Sequence, residues 1–353
     1  MFLFGRKEFG YEFFMQFCAC IKNWQVGRKA WLLIMDKIKL LDECKKAKKI
    51  VISGHVRPDG DCVGSCLAMY QYLKKALPAA DIKVFLDEPS RVFECIKGFD
   101  EIDGTYAVEG KVDVFIALDC EKSRLGAAEE IFDNAEKRIN IDHHISNERG
   151  SGDVNYIIAG ISSTAELVYD LIDKKYMDEE IAKAVYIGIV HDTGIFNYSN
   201  TSPRTLRIAA DLIEYGFDFP DIIDETFYEK TYTQNQLLGR ALLESIVFMG
   251  GRCIVSVIDK KTLDFYNATS KDLDGIVNQL RVTKGVECAV FMYETGNLEY
   301  KVSLRSCKYV DVSKVAAYFG GGGHVRAAGC NMNGTFYDVI NNISKQIELQ
   351  MLE

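Results

Sequence analysis

The residues best suited to chemistry are histidines and carboxylates gathered at the ends of apolar runs. The run Gly54-His55-Val56-Arg57-Pro58-Asp59-Gly60-Asp61 brings one imidazole and two carboxylates together. Pro58 and Gly60 prevent a simple helix through it, so the chain turns and can aim His55, Asp59 and Asp61 at one point. A mixed nitrogen and oxygen donor set suits Mn²⁺ or a similar first-row ion better than a thiolate-seeking one. The helix that follows begins near residues 60 to 64, and its N-terminal dipole favours an anion beside the metals.

Asp119 closes the apolar run Val-Asp-Val-Phe-Ile-Ala-Leu-Asp, a place where a lone carboxylate is costly unless solvated or coordinated. Asp142, His143 and His144 end the next run. Side chains alternate in direction there, so one imidazole can bind metal while its neighbour faces a substrate phosphate. His191 and Asp192 close Tyr-Ile-Gly-Ile-Val, just before Thr193 and Gly194. The last histidine, His324, lies in Gly-Gly-Gly-Gly-His-Val-Arg-Ala-Ala-Gly, so all 5 histidines fall inside candidate motifs. Gly320 to Gly323 remove side chains, which lets backbone N–H groups approach a ligand. With His324 and Arg326 they are expected to form an anion or nucleotide cradle; a hinge between helices is the alternative. Arg305, ending Lys-Val-Ser-Leu-Arg, offers a bidentate fork to a phosphate or a surface salt bridge.

These motifs need strands to carry them. From Lys48, short β-branched runs alternate with amphipathic helical segments, the pattern of a parallel sheet wrapped by helices. Strands are expected at Ile50 to Ser53, Ile82 to Leu86, Val112 to Leu118 and Arg138 to Ile141. Their C-terminal ends run into His55, Asp87, Asp119 and Asp142, where open α/β sheets place ligand sites. Helices follow at Thr164 to Tyr176, Glu180 to Val190 and Pro203 to Tyr215. Residues 217–244 read as a helix-compatible connector. A second, smaller α/β unit then has strands at Arg252 to Ile258, Glu287 to Tyr293 and Leu298 to Leu304. Its helices are expected at Asp272 to Val282, Asp311 to Phe319 and Tyr337 to Leu352. The expected division is therefore an extension over 1–34, a catalytic domain over 35–216, the connector, and a substrate-binding domain over 245–353.

Length and composition agree. A chain of 353 residues with 48% hydrophobic and 26% charged residues has the make-up of a two-domain globular protein. No apolar run approaches the roughly 20 residues a membrane span needs. The net charge of −9 argues against a protein that binds long duplex nucleic acid, but a small anionic substrate can be met locally by metal ions and a few arginines. The 11 cysteines show no zinc-ribbon spacing and read as free thiols of a reducing cytoplasm. The first 34 residues interleave Phe2, Phe4, Phe13, Phe14, Trp24 and Trp31 with basic residues. Met35 opens the amphipathic helix Ile38 to Ala47.

In this order, the motifs resemble the DHH phosphoesterases, named for a triplet such as Asp142-His143-His144, joined to a DHHA1 domain. The resemblance runs from about Lys48 to Gly329. It implies a doubly wound, mostly parallel DHH domain, a smaller α/β DHHA1 domain, and an active site in the cleft between them. It also implies two Mn²⁺ ions: His55 and Asp59 on one, Asp61, His143 and Asp192 on the other, and Asp119 bridging. Asp142 would orient His143, and His144 would touch the substrate phosphate. Arg305, Gly322, Gly323, His324 and Arg326 would hold the nucleotide. His191 departs from the family pattern and reads as a contact behind the ligands.

The compact length is similar to that of the group acting on very short RNA and 3′-phosphoadenosine 5′-phosphate through two-metal-activated water. Rival readings are a phosphodiesterase for cyclic di-AMP or pApA, an inorganic pyrophosphatase, and a non-catalytic nucleotide sensor. A homodimer is compatible with the sequence.

Overall fold

The apolar runs of the first half become six parallel strands in a computed structural model that describes residues 40–351. The extension over 1–34 and the start of the helix expected near Met35 lie outside the described residues. The strands are β1 (Lys49–Ser53), β2 (Asp81–Phe85), β3 (Ile102–Asp103), β4 (Val114–Leu118), β5 (Lys137–Asp142) and β6 (Val154–Ile157), in the order β3-β2-β1-β4-β5-β6. A parallel sheet covered on both faces demands strands that are apolar throughout, which is why Val114–Leu118 is buried at every position. The order reverses direction between β1 and β4, the position at which open α/β sheets leave a crevice at their C-terminal edge. The register sets Ser53 beside Ala117 and Leu118 beside Ile141. His55, Asp119 and Asp142 therefore emerge at one edge.

Helices flank this sheet, among them α1 (Gly60–Ala76), α2 (Glu129–Asn134), α3 (Thr164–Leu171), α4 (Glu179–Asp192) and α5 (Pro203–Ile213). One face packs on α1, α3, α4 and α5 through Ile52, Ile116, Leu67, Val168, Val185 and Leu212. The other packs Phe115 edge-on against Phe132 of α2. The expected helix Thr164 to Tyr176 stops at Leu171. Asp173 then caps a separate short turn, Lys174–Tyr176.

A buried ion network pins α3 to α5. Arg204 reaches Glu166 Oε1 at 2.6 Å and also pairs with Asp170, while Thr205 Oγ1 donates to Glu166 Oε2 at 2.9 Å. Both carboxylate side chains are nearly inaccessible, at 1% and 7% exposure.

The structure divides between Glu229 and Lys230, inside the stretch read as a connector. That stretch folds as α6 (Phe219–Ile223), a π-helical turn (Asp224–Tyr228) and α7 (Tyr232–Leu243). The second unit is a six-stranded sheet in the order β11-β12-β10-β9-β8-β7. Its strands are β7 (Ile246–Phe248), β8 (Cys253–Ile258), β9 (Cys288–Gly296), β10 (Glu299–Ser306), β11 (Gly322–His324) and β12 (Ala327–Asn333), and only β8 and β9 pair in parallel. Its remaining helices are α8 (Lys260–Tyr266), α9 (Ile276–Arg281), α10 (Val312–Tyr318) and α11 (Phe336–Met351). One face is covered by α10 and α11, the other by α7, α8 and α9.

One expectation and one alternative reading are corrected in this unit. The helix expected over Asp272 to Val282 breaks at Gly275, whose φ of +88° is left-handed, so the helix begins at Ile276. The glycine run builds the β11–β12 hairpin, not a hinge between helices.

Replacing Arg204 with Met should lower the unfolding free energy by about 3 kcal/mol, because it leaves two buried carboxylates without their cation. A urea denaturation midpoint that shifts by under about 0.5 kcal/mol equivalent would place the strength of this junction in its apolar contacts instead.

Candidate metal centre

Each ligand candidate stands where a regular element stops. His55 follows β1 and Asp119 follows β4, while Asp142 is the last residue of β5 and Asp192 the last of α4. Asp59 caps α1, its Oδ1 accepting from the N–H groups of Asp61 and Cys62 at 3.1 and 3.2 Å. Asp119 turns out of its strand with φ of +62°, a left-handed conformation uncommon for residues with side chains though more accessible to Asp than to most. Its N–H bonds Ile141 O at 2.9 Å.

Around His143, Nε2 lies 3.6 Å from Asp119 Oδ1, 3.5 Å from Asp192 Oδ2 and 3.9 Å from Asp61 Oδ2. Around His55, Nε2 lies 3.4 Å from Asp119 Oδ2 and 3.7 Å from Asp59 Oδ1. The two oxygens of Asp119 thus face different imidazoles. The structure brings His55, Asp59, Asp61, Asp119, His143 and Asp192 into two adjoining donor groups that share Asp119.

The donor set fits divalent cations. His55 Nδ1 lies 2.9 Å from Val56 O and His143 Nδ1 lies 3.2 Å from Ile161 O. A carbonyl can only accept, so both Nδ1 atoms carry hydrogen, and both Nε2 atoms face the carboxylates, where each can give a lone pair to a cation once any proton on it is displaced. Cys62 also lies within reach of His55 and Asp119. Its thiol is buried against Cys66, and burial holds it well above its ordinary pKa.

The site needs compensation for crowded negative charge, and α3 supplies it. Thr164 N donates to Asp61 Oδ2 at 2.7 Å, Ala165 N to Asp61 Oδ1 at 2.8 Å, and Thr164 Oγ1 to Asp119 Oδ1 at 2.9 Å. The first turn of a helix carries unsatisfied donors and the positive end of its dipole. Even so, burial and then the charges of Asp119, Asp192 and Asp59 hold Asp61 well above the carboxylate range. Burial raises Asp192 to about 6. Burial alone would lower His55, but its bonds to Asp119 and Asp59 outweigh it and hold the imidazole at about 11.

Asp142 departs from its expected task. Its Oδ1 accepts from the N–H groups of His143 and His144 and lies 2.7 Å from His144 Nδ1, while Oδ2 accepts from Asn147 Nδ2 at 2.7 Å. It therefore orients the ring of His144, and the Ile161 carbonyl orients His143. Asn140 and Asn147, both buried, link Asp142 to the carbonyl of Cys120, next to Asp119. Thr164, Asn140 and Asn147 were not legible as site residues, because a threonine opening a helix and buried asparagines carry no distinctive spacing.

His191 is not among the donors. Its ring packs 5.0 Å from Phe93 and 5.5 Å from Phe227, with Nε2 3.0 Å from Thr226 Oγ1. Burial lowers it to about 4, so it is neutral.

In the second unit, Arg305 Nε donates to Asn278 Oδ1 at 3.0 Å. Arg326 donates to the carbonyls of Val310 and Lys308. The loop it ties is also held by the buried carboxylate of Glu287, which accepts from the N–H groups of Lys308, Tyr309 and Val310. Arg326 thus has a task within its own unit that the sequence did not suggest. Of the glycines, Gly321 and Gly323 are required by the hairpin: an added Cβ would lie 2.2 Å from Gly329 O and 2.5 Å from Ala327 O. Gly322 is exposed and has open space where a side chain would be. The side chain of His324 lies outside the described residues.

Comparison with known proteins follows the same division. Residues 49–189 match the N-terminal domain of the DHH family, and residues 250–352 match the DHHA1 domain. The chain is 33% identical to the bifunctional oligoribonuclease and PAP phosphatase NrnA of Thermus thermophilus, over 86% of this chain and 90% of that one. It is 29% identical to the protein of the same name from Bacillus subtilis, over 84% and 93%. An exopolyphosphatase-related protein from Bacteroides fragilis superposes with a TM-score of 0.80 at 26% identity, covering 89% of this chain and 96% of that one.

Metal binding should release protons. Without metal, His55 at about 11 and Asp192 at about 6 hold protons that a cation must displace. Calorimetric titration with Mn²⁺ in buffers of different ionisation enthalpy should show at least one proton released at pH 7.5 and more at pH 5.5. Affinity should rise with pH across that range. A pH-independent affinity with no proton release would mean that His55 is not a ligand.

Proposed function

The chain belongs to the DHH phosphoesterases and is a phosphoric ester hydrolase; from that premise we propose that it cleaves short oligoribonucleotides and 3′-phosphoadenosine 5′-phosphate with two Mn²⁺ ions. The observation that carries this reading is the pair of donor groups joined at Asp119, beside a histidine whose proton is held by a buried carboxylate. His55, Asp59 and Asp119 would hold one ion, and Asp61, His143, Asp192 and Asp119 the other. Such ions, when bound, provide Lewis-acid polarisation of a phosphoryl group and acidify water.

The chain's own residues supply the rest. Asp142 is held below the usual carboxylate range despite its burial, by hydrogen bonds from His144 and Asn147. Its bond to Nδ1 raises the pKa of His144. That leaves Nε2–H of a partly exposed ring to donate to a phosphate oxygen or to the departing alkoxide. Thr164 keeps Asp119 directed at both donor groups. Gly322, Gly323 and His324 are proposed contacts for the distant phosphate, with Arg305 as the cationic fork. For Arg326 the contacts within its unit favour holding the Lys308–Val310 loop that borders them. Relatives named for oligoribonuclease and PAP phosphatase activity favour these substrates over cyclic di-AMP or pApA.

A panel of pAp, pApA, cyclic di-AMP and RNA of two to five residues, assayed with Mn²⁺, tests the substrate assignment. Release of mononucleotide from RNA dimers and of phosphate from pAp is expected; turnover confined to cyclic di-AMP or pApA would replace it. His144→Ala should lower kcat by about 10²–10⁴-fold, the usual range for a lost proton donor, with bound metal unchanged. Asp142→Asn removes the charge that raises His144, so the alkaline limb of the pH–rate profile should move to lower pH. An unmoved limb would remove His144 from proton transfer.

A further inference from the structure

Gly60 separates Asp59, which faces His55, from Asp61, which faces His143. It begins α1 with no left-handed backbone to accommodate, so conformation does not demand glycine there. Space does. A Cβ at this position would lie 2.3 Å from Cγ of His191, 2.5 Å from its Cβ and 2.8 Å from its Cδ2. These are side-chain atoms close to the His191 backbone, held from the other side, so they cannot swing away.

What holds them is a socket built from separate stretches of chain. Phe93 and Phe227 stack edge-on against the imidazole. Thr226 Oγ1 donates its one proton to Ile222 O at 2.7 Å, so the 3.0 Å contact with His191 requires Nε2 of the ring to be the donor. Thr226 itself lies in the π-helical turn Asp224–Tyr228, a backbone irregularity that tends to be retained where it serves a site. The ring is thus fixed in tautomer, tilt and depth, and its inner edge is the surface on which Gly60 rests.

We propose that His191 is a positioning residue for the metal centre: anchored by Thr226, it sets the position of Gly60 and hence the separation of Asp59 and Asp61. Gly60 and His191 form an interlocking pair in which the side chain of one occupies the space the other leaves empty. The inference rests on the metal reading above, and it assigns to His191 neither ligation nor proton transfer.

A double-variant cycle tests it, read by calorimetric Mn²⁺ binding and by the melting temperature of each metal-free protein. Gly60→Ala should weaken Mn²⁺ binding by about 10–100-fold, the loss usual when a group behind a ligand is displaced. Adding His191→Gly, which removes all three atoms the new methyl would meet, should restore binding to within about threefold of the single His191→Gly protein. Thr226→Val, which removes the anchor and keeps the shape, should weaken binding by a few-fold while the metal-free protein still unfolds cooperatively, at a somewhat lower melting temperature. A double variant as weak as Gly60→Ala, or a Gly60→Ala protein that binds as the parent does, overturns the proposal. So does a His191→Gly protein that no longer folds, since His191 would then serve the core at large. A parent protein that binds no divalent ion removes the metal reading itself, an outcome distinct from variants that bind alike.

Discussion

The arrangement depends on bringing like charges together at the edge of a parallel sheet. Asp59, Asp61, Asp119 and Asp192 converge on two imidazoles, and around the buried Asp61 and Asp119 each carboxylate raises the cost of ionising its neighbours. The fold answers with directed donors. The first turn of α3 gives two backbone N–H groups and a hydroxyl to Asp61 and Asp119. The Arg204 network holds that helix from its other side. Compensation is incomplete, as the raised Asp61 and Asp192 show. A residual excess of negative charge is what gives such a site affinity for cations.

The same demand explains local strain. Asp119 could not present its two oxygens to different imidazoles from an ordinary strand conformation, because the next side chain of a strand points to the opposite face. Its left-handed φ rotates the carboxylate off the sheet edge. The cost of such a conformation, of order 1–3 kcal/mol, is supported by the bond from its N–H to Ile141 and by Thr164 on Oδ1. The buried Asn140 and Asn147 brace the neighbouring loop. Strain and polar burial thus sit at the residue shared by both donor groups.

Much of this was legible in the sequence because strand ends announce themselves. An unbroken β-branched run that stops at Asp or His marks the C-terminal edge of a buried parallel strand, and β1, β4 and β5 were readable on that ground. Elements whose burial is partial were not. β6 buries only one of its four residues, and β12 begins with Ala-Ala-Gly, which carries no strand preference. The task of Asp142 was misread for a related reason: sequence adjacency to His143 and His144 cannot tell which ring turns back toward the carboxylate. The glycine run shows the limit most clearly, since one tract contains residues required by hairpin packing and one, Gly322, that its own unit leaves open.

The histidines of the first unit differ in role through the partner of a single ring nitrogen. His55 and His143 give Nδ1–H to carbonyls, neutral acceptors that leave Nε2 able to give a lone pair to a cation. His144 gives the same hydrogen to a carboxylate, which stabilises the protonated ring and makes Nε2 a donor. In His191 it is Nε2 that is bonded, to a hydroxyl, and burial between aromatic rings keeps the imidazole neutral. Residue type alone therefore could not assign these roles. The assignment lies in whether the chain brings a carbonyl, a carboxylate or a hydroxyl to the ring, and each of those partners is placed by the end of a strand or the turn of a helix.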